Sequence, residues 1–342
     1  MKALELEAVG KLRLAEVGQP EVGDNELLLR TGAATICTSD LNDIRANPFG
    51  LRLPRVLGHE GAGTVVEVGS AVRGFKPGDR VAAHPVHPCG RCANCQRGMA
   101  HLCSSMSHFG LNMPGTFGEY FLVRGDRARC IPPEVSFPLA ALTEPVCVCL
   151  EALAQANLSE GVTLLVMGDG PFGILMARLA RRMPLAKVVI AGHHDFRLAF
   201  ATAAEQINTT ELEDPAATLR SGAGGQGYDA VILAVGRAEA VRDGLALLRP
   251  KGRLVIFSAV QGQTPVDLLS VHLKELEIVG ACNDDDRLDE AVATLSDRSL
   301  ALEQLVTHSF PLSKYREALA LAEKGHDVCL KVALTFAEEA GK

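Results

Sequence analysis

The sequence predicts a two-part α/β protein, with a β-rich first part and a doubly wound parallel sheet after it. Three observations carry this. Residues 1 to 35 and 55 to 83 alternate apolar and polar positions between Gly, Pro, Asp and Asn punctuation, the pattern of short antiparallel strands. From Val162 onward, short apolar strands alternate with helical patterns, which indicates crossover helices on a parallel sheet. Gly168, Gly170 and Gly173 form G-x-G-x-x-G where an apolar strand gives way to a helical stretch.

Composition sets the outer limits. The 342 residues suit two domains, and 47% hydrophobic with 22% charged content is that of a soluble globular chain. No run of 18 apolar residues is present, so no membrane span is expected. Met1–Glu7 alternates like a strand and lacks a signal peptide's apolar core, which points to the cytoplasm. The net charge of −7 argues against nucleic acid as a partner. Ten cysteines, four of them packed between residues 89 and 103, suggest metal binding rather than a disulfide framework.

Taken in order, the first strands end in a turn region at Gly18 to Asn25, and Gly63–Gly69 reads as a further strand. Lys76-Pro77-Gly78-Asp79 turns the chain into the next strand, and the β pattern recurs around 118–124. The pattern changes near Leu150. Parallel strands are expected at 163–167, 187–191, 228–234, 253–258 and 276–280. Beyond residue 284 the pattern is helical, Asp284-Asp285-Asp286 reads as a solvated helix start, and 328–334 reads as a last strand returning to the first part. Cys130, Cys282 and Cys329 read as small buried hydrophobes, and Cys147 and Cys149 as core thiols.

Two candidate metal clusters stand out. Cys37, His59 and Glu144 offer a thiolate, an imidazole and a carboxylate, a set that suits tetrahedral zinc with one position open. Gly58, Gly61, Gly63 and Gly69 let the backbone bend around His59. Cys89, Cys92, Cys95 and Cys103 give C-x2-C-x2-C-x7-C, four thiolates that close a zinc shell with no open position. The first cluster is the candidate reaction centre and the second is structural.

The glycine motif, with Pro171 and Phe172 inside it, places backbone amides at a helix N-terminus where a pyrophosphate can sit. An acid about 20 residues further on would hold the ribose of NAD. Gly192 stands there instead. A glycine leaves room for a 2′-phosphate, and His193, His194 and Arg197 can donate to it. The reading therefore favours NADP, with NAD possible.

Gly58-His59-Glu60-x2-Gly63-x5-Gly69-x2-Val72, the cysteine loop and the dinucleotide motif occur in that order. With them the chain resembles the zinc-dependent medium-chain dehydrogenase/reductase family, in its polyol, threonine and secondary-alcohol branch. The resemblance covers essentially the whole chain. It implies a GroES-like catalytic domain at 1–148 and 284–342, interrupted by a Rossmann domain at 149–283, with a cleft between them. It implies Cys37 and His59 as zinc ligands, Glu144 in the third-ligand position, and Glu60 as a ligand or its close neighbour. Ser39 falls where a relay hydroxyl is expected. Asn42 departs from the family pattern, where a histidine often ends the proton relay, because an amide does not titrate. A homodimer or homotetramer built on the Rossmann sheet edge is implied by analogy.

The function this implies is reversible hydride transfer between a small alcohol, polyol or sugar and NAD(P), assisted by zinc. One rival is a quinone or enoyl reductase on the same fold, which the ligand set Cys37, His59 and Glu144 opposes. Another is a catalytically silent relative that keeps both binding sites, toward which only Asn42 leans.

Overall fold

The structure, a computed structural model, describes residues 1–202 and 204–336. Residues 337–342 of the expected first domain lie outside the described residues. The chain forms two compact units: Met1–Cys147 with Asp285–Gly325 and Cys329–Lys342, and Val148–Asp284 with His326–Val328.

The first unit is built on a seven-stranded sheet centred on the long strand Glu26–Thr35. That strand pairs antiparallel with Glu60–Val68, with Tyr120–Arg124 and with the C-terminal strand Lys331–Thr335. The last strand does return to the first unit, beginning three residues later than the sequence pattern suggests. Alternation explains the layers: in Glu26–Thr35 the leucines at 27 and 29 pack with Val65, Val81, Phe121 and Val123 in one apolar cluster. Gly63 is needed in the neighbouring strand, because a Cβ there would lie 2.3 Å from the Arg30 carbonyl oxygen.

The second unit is a six-stranded parallel sheet in the order Glu205–Asn208, Lys187–Gly192, Thr163–Met167, Tyr228–Leu233, Leu248–Ile256, Glu277–Gly280. This is the doubly wound order that places a crevice at the carboxyl end of Thr163–Met167. Its inner strands carry near-continuous apolar runs because both faces are covered.

Several expectations are corrected. The strand Glu205–Asn208 was not legible, since its residues Glu205, Gln206 and Asn208 are polar and sit at the sheet edge. A strand, Val306–Pro311, interrupts the helical C-terminal region. The acidic run does not start a helix: the next helix begins at Leu288, Asp284 is buried, Asp285 lies 3.4 Å from His101, and Asp286 lies 3.5 Å from Arg127. Cys130 and Cys282 are exposed, whereas Cys147, Cys149 and Cys329 are buried as expected. Among the described residues one helical stretch, Phe137–Gln155, has the length and hydropathy of a membrane span, and 67% of its apolar window is buried inside the protein.

Candidate metal and dinucleotide sites

In the first unit, Cys37 is the N-cap of the helix Thr38–Ala46, and Asp40 Oδ2 accepts its backbone N–H at 2.9 Å. The same carboxylate reaches His59, with Oδ1 3.3 Å from Nδ1. Gly58 makes the approach to His59 possible: its φ is +92°, and a Cβ would meet Phe117 and Thr116 at 2.5 and 2.7 Å. With Nδ1 turned to Asp40, Nε2 is left for a metal, the usual way a carboxylate orients a ligating imidazole. Ser39 Oγ lies 3.5 Å from that Nε2.

Cys37, His59 and Glu60 each offer a ligand atom, all within 4.8 Å of one another and all buried. Burial opposes a charge on His59, but Asp40 and Cys37 outweigh it and raise its pKa well above the ordinary value. A zinc ion fits this donor set: a soft thiolate and an imidazole face one point, with a carboxylate orienting the imidazole from behind. Glu60 is the cross-strand partner of Thr35, whose hydroxyl donates to Oε2. Lys331 Nζ donates to Oε1 at 2.7 Å. Burial would lower the lysine's pKa, yet the charges of Glu60 and Cys37 hold it above the usual range.

Glu144 lies in the first turn of Thr143–Gln155 and contributes to the field at Lys331. It stands outside the close group of Cys37, His59 and Glu60. Of the two glutamates, Glu60 is the one grouped with Cys37 and His59.

The cysteine loop is assembled. The sulfurs of Cys89, Cys92, Cys95 and Cys103 lie within 4.8 Å of one another, with Cys92 Sγ 3.5 Å from Cys95 Sγ and 3.8 Å from Cys103 Sγ. Backbone N–H groups point at the sulfurs, from Cys89 and Ser105 to Cys103 and from Cys92 to Cys89. The amides of Cys95 and Ser104 pull Cys92 down to about 5, while burial and neighbouring sulfurs push Cys95 up to about 12. Sulfurs so close, with amides aimed at them, fit a tetrahedral zinc ion.

In the second unit the glycines are forced by contact. A Cβ on Gly173 would lie 1.9 Å from the Gly168 carbonyl oxygen, and Gly168 has φ +125° with Ala234 O at 2.7 Å from its would-be Cβ. Gly170 caps the helix Pro171–Ala180, Pro171 occupies its first turn, and Phe172 packs against Phe257 at 5.3 Å between ring centroids. A glycine-capped helix start of this kind suits a pyrophosphate.

The room attributed to Gly192 is corrected. A Cβ there would meet Asp169 Cβ at 2.4 Å and its carboxylate at 2.6 Å, so the space is already filled. Asp169 Oδ2 accepts from the His193 and His194 amides, each at 2.7 Å, and lies 2.9 Å from His194 Nδ1. Arg197, in the short helix Asp195–Leu198, is 9% exposed. Sequence reasoning missed Asp40, Thr35 and Asp169. The signal for Asp169 lies in the sequence, an acid inside the glycine motif combined with a glycine where an acid is usual.

Comparison with known proteins places the chain in a family. Residues 23–133 match the alcohol dehydrogenase GroES-like domain, and residues 171–297 match the zinc-binding dehydrogenase domain. An L-threonine 3-dehydrogenase from Paraburkholderia xenovorans (strain LB400) is 33% identical over 336 residues, 95% of this chain and 96% of that protein. A zinc-binding dehydrogenase from Sinorhizobium meliloti 1021, solved with NADP, superposes with a TM-score of 0.89 at 26% identity, covering 98% of each chain. An alcohol dehydrogenase from E. coli CFT073, solved with NADH, gives 0.91 at 27% identity, covering 98% of this chain and 99% of that one. The chain belongs to the zinc-dependent medium-chain dehydrogenase/reductase family, oxidoreductases that move a hydride between an alcohol carbon and NAD(P).

Proposed function

We propose that this protein oxidises a small secondary alcohol, polyol or sugar reversibly with NAD(P), using one catalytic and one structural zinc per chain. The observation that carries it is the buried group Cys37, His59 and Glu60, with Asp40 behind His59. Zinc held there would supply Lewis acidity, and a nicotinamide nucleotide would supply the hydride chemistry.

The residues divide the remaining work. Cys37 and His59 hold the metal, with the third place taken by Glu144 or Glu60. Asp40 holds the His59 tautomer. Ser39, 3.5 Å from His59 Nε2, takes the alcohol proton and passes it outward. Asn42 does not titrate, so the outer step runs through water or a cofactor hydroxyl rather than through that residue. Lys331 and Thr35 hold Glu60 at the edge of the site. Residues 1–148 and 284–342 form the catalytic domain in this reading, and 149–283 the cofactor domain.

The protein acts in the cytoplasm, where ten thiols stay reduced, and as a homodimer or homotetramer. The oligomer is supported by the edge strand Glu277–Gly280, which among the described residues pairs on one side only, and by Leu268, Leu269 and Leu273 in the preceding helix, each at least 65% exposed.

The test is metal removal and return. Stripped protein should lose nicotinamide reduction over a panel of polyols, sugars and secondary alcohols, and zinc should restore it. Turnover that survives complete removal of the metal would sink the proposal.

A further inference from the structure

We propose that Asp169 chooses between the two nicotinamide nucleotides and selects NAD, its carboxylate standing in for the acid missing at the end of the second strand. This rests on the dehydrogenase reading above.

In a doubly wound dinucleotide fold, discrimination is made where the second strand ends. An acid there accepts hydrogen bonds from the ribose hydroxyls of NAD and repels the 2′-phosphate of NADP. Here the second strand ends at Gly192, with no side chain. A carboxylate nevertheless occupies the place, delivered from the first strand's glycine loop. Asp169 lies so close over Gly192 that any side chain on residue 192 would overlap it. The two residues are a matched pair, the acid standing on the first loop where the second strand end has no side chain.

The hydrogen bonds favour the same choice. The His193 and His194 amides are the natural donors for a phosphate at this turn, and both already bind Asp169 Oδ2. His194 is turned to the same oxygen through Nδ1. Among the described residues Oδ1 accepts no hydrogen bond, which leaves it for a ligand hydroxyl. Burial pushes the carboxyl up, but the His193 and His194 amides together with the His194 ring outweigh burial and hold it below the usual range, so the group is an anion at neutral pH.

The surroundings are acidic as well. Asp169 lines a cavity of about 460 Å³ together with Gly168, Gly192, His193 and Thr209, and Glu213, Asp214 and Asp243 share its wall with Arg237. A dianionic 2′-phosphate placed there meets a fixed carboxylate whose neighbouring donors are already used. A ribose diol meets an acceptor.

The experiment is equilibrium binding of NADH and NADPH to the intact protein, read by nucleotide fluorescence, with no alcohol present. Wild type should bind NADH at least about tenfold more tightly than NADPH, a ratio of the size one charge-assisted contact supplies. Asp169→Asn should shift that ratio toward NADPH by about tenfold or more. Asp169→Gly combined with Gly192→Asp returns the acid to the strand end and should restore the NADH preference, which a merely structural Asp169 would not do. Tighter NADPH binding by wild type, or an unchanged ratio in Asp169→Asn, would overturn the inference and leave the dehydrogenase reading standing. Binding of neither nucleotide would overturn both.

Discussion

Lys331 Nζ stands 2.7 Å from each carboxylate oxygen of Glu60, and the two residues are 4% and 0% exposed. The pair joins the first strand after His59 to the last strand of the chain, 271 residues apart in sequence. Breaking a buried pair from one side strands a charge, at about 3–5 kcal/mol. Lys331→Met should therefore destabilise the protein by roughly that amount, measured by denaturant unfolding of metal-free protein. Lys331→Met with Glu60→Gln should recover most of the loss, because no uncompensated charge remains. Equal losses in the single and double variants would contradict the pairing.

The glycine motif makes a sharper demand. Gly173→Ala would force a Cβ to 1.9 Å from the Gly168 carbonyl oxygen, a backbone atom that cannot swing aside. Nucleotide binding should weaken at least about 100-fold, on the order of 3 kcal/mol, while zinc content stays unchanged. Gly170→Ala, where a Cβ meets nothing within 4 Å, is the control and should be mild.

For the cysteine loop, Cys103→Ser should remove the metal of that cluster and lower the thermal midpoint, leaving the Cys37–His59 metal bound. Metal analysis before and after mild chelation reads both. A variant that retains its full metal content would exclude the four-sulfur site.

Acid titration should expose His87. Burial first, and then the charges of Arg124 and Arg127, push its pKa down to about 3. In the unfolded chain it titrates near 6.5. Its folded value is depressed, so the unfolded state binds more protons between about 3 and 6.5. Stability is whole above pH 6.5 and falls as pH drops, by at most about 1.4 kcal/mol per pH unit. His87→Phe, which keeps the edge-on packing against Phe109, should flatten the unfolding midpoint across that window.

Asp43 has the opposite sign. Burial and the Asp40 charge raise it to about 6, and its buried Oδ1 has no hydrogen-bond partner. The folded state binds the extra proton between 3.8 and about 6, so its stability falls as pH rises through that window. Asp43→Asn should stabilise the protein above pH 6 by about 1–3 kcal/mol and do little below pH 4.

How much of this could be read beforehand follows from locality. The cysteine loop and the glycine motif were legible because ligand spacing and turn geometry are local, and five of the six parallel strands because they carry apolar runs. The edge strand Glu205–Asn208 was not, since half-exposed edges take polar residues. His59 stood out as a candidate through its company, Cys37 and Glu144. Asp40 did not, because its role depends on a helix cap and a strand start that meet only in space. Gly192 was legible as the end of the second strand, but the room read there holds Asp169. Its missing side chain makes way for Asp169, which no strand pattern reveals.

The most direct test of the central claim compares wild type with His59→Ala, both zinc-replete, for nicotinamide reduction over the alcohol panel and for NADH binding. The account predicts turnover by wild type and a loss of about 1,000-fold or more in the variant, on the order of 4 kcal/mol of transition-state stabilisation, with NADH binding unchanged. Turnover that persists in His59→Ala would contradict the assignment of the reaction centre.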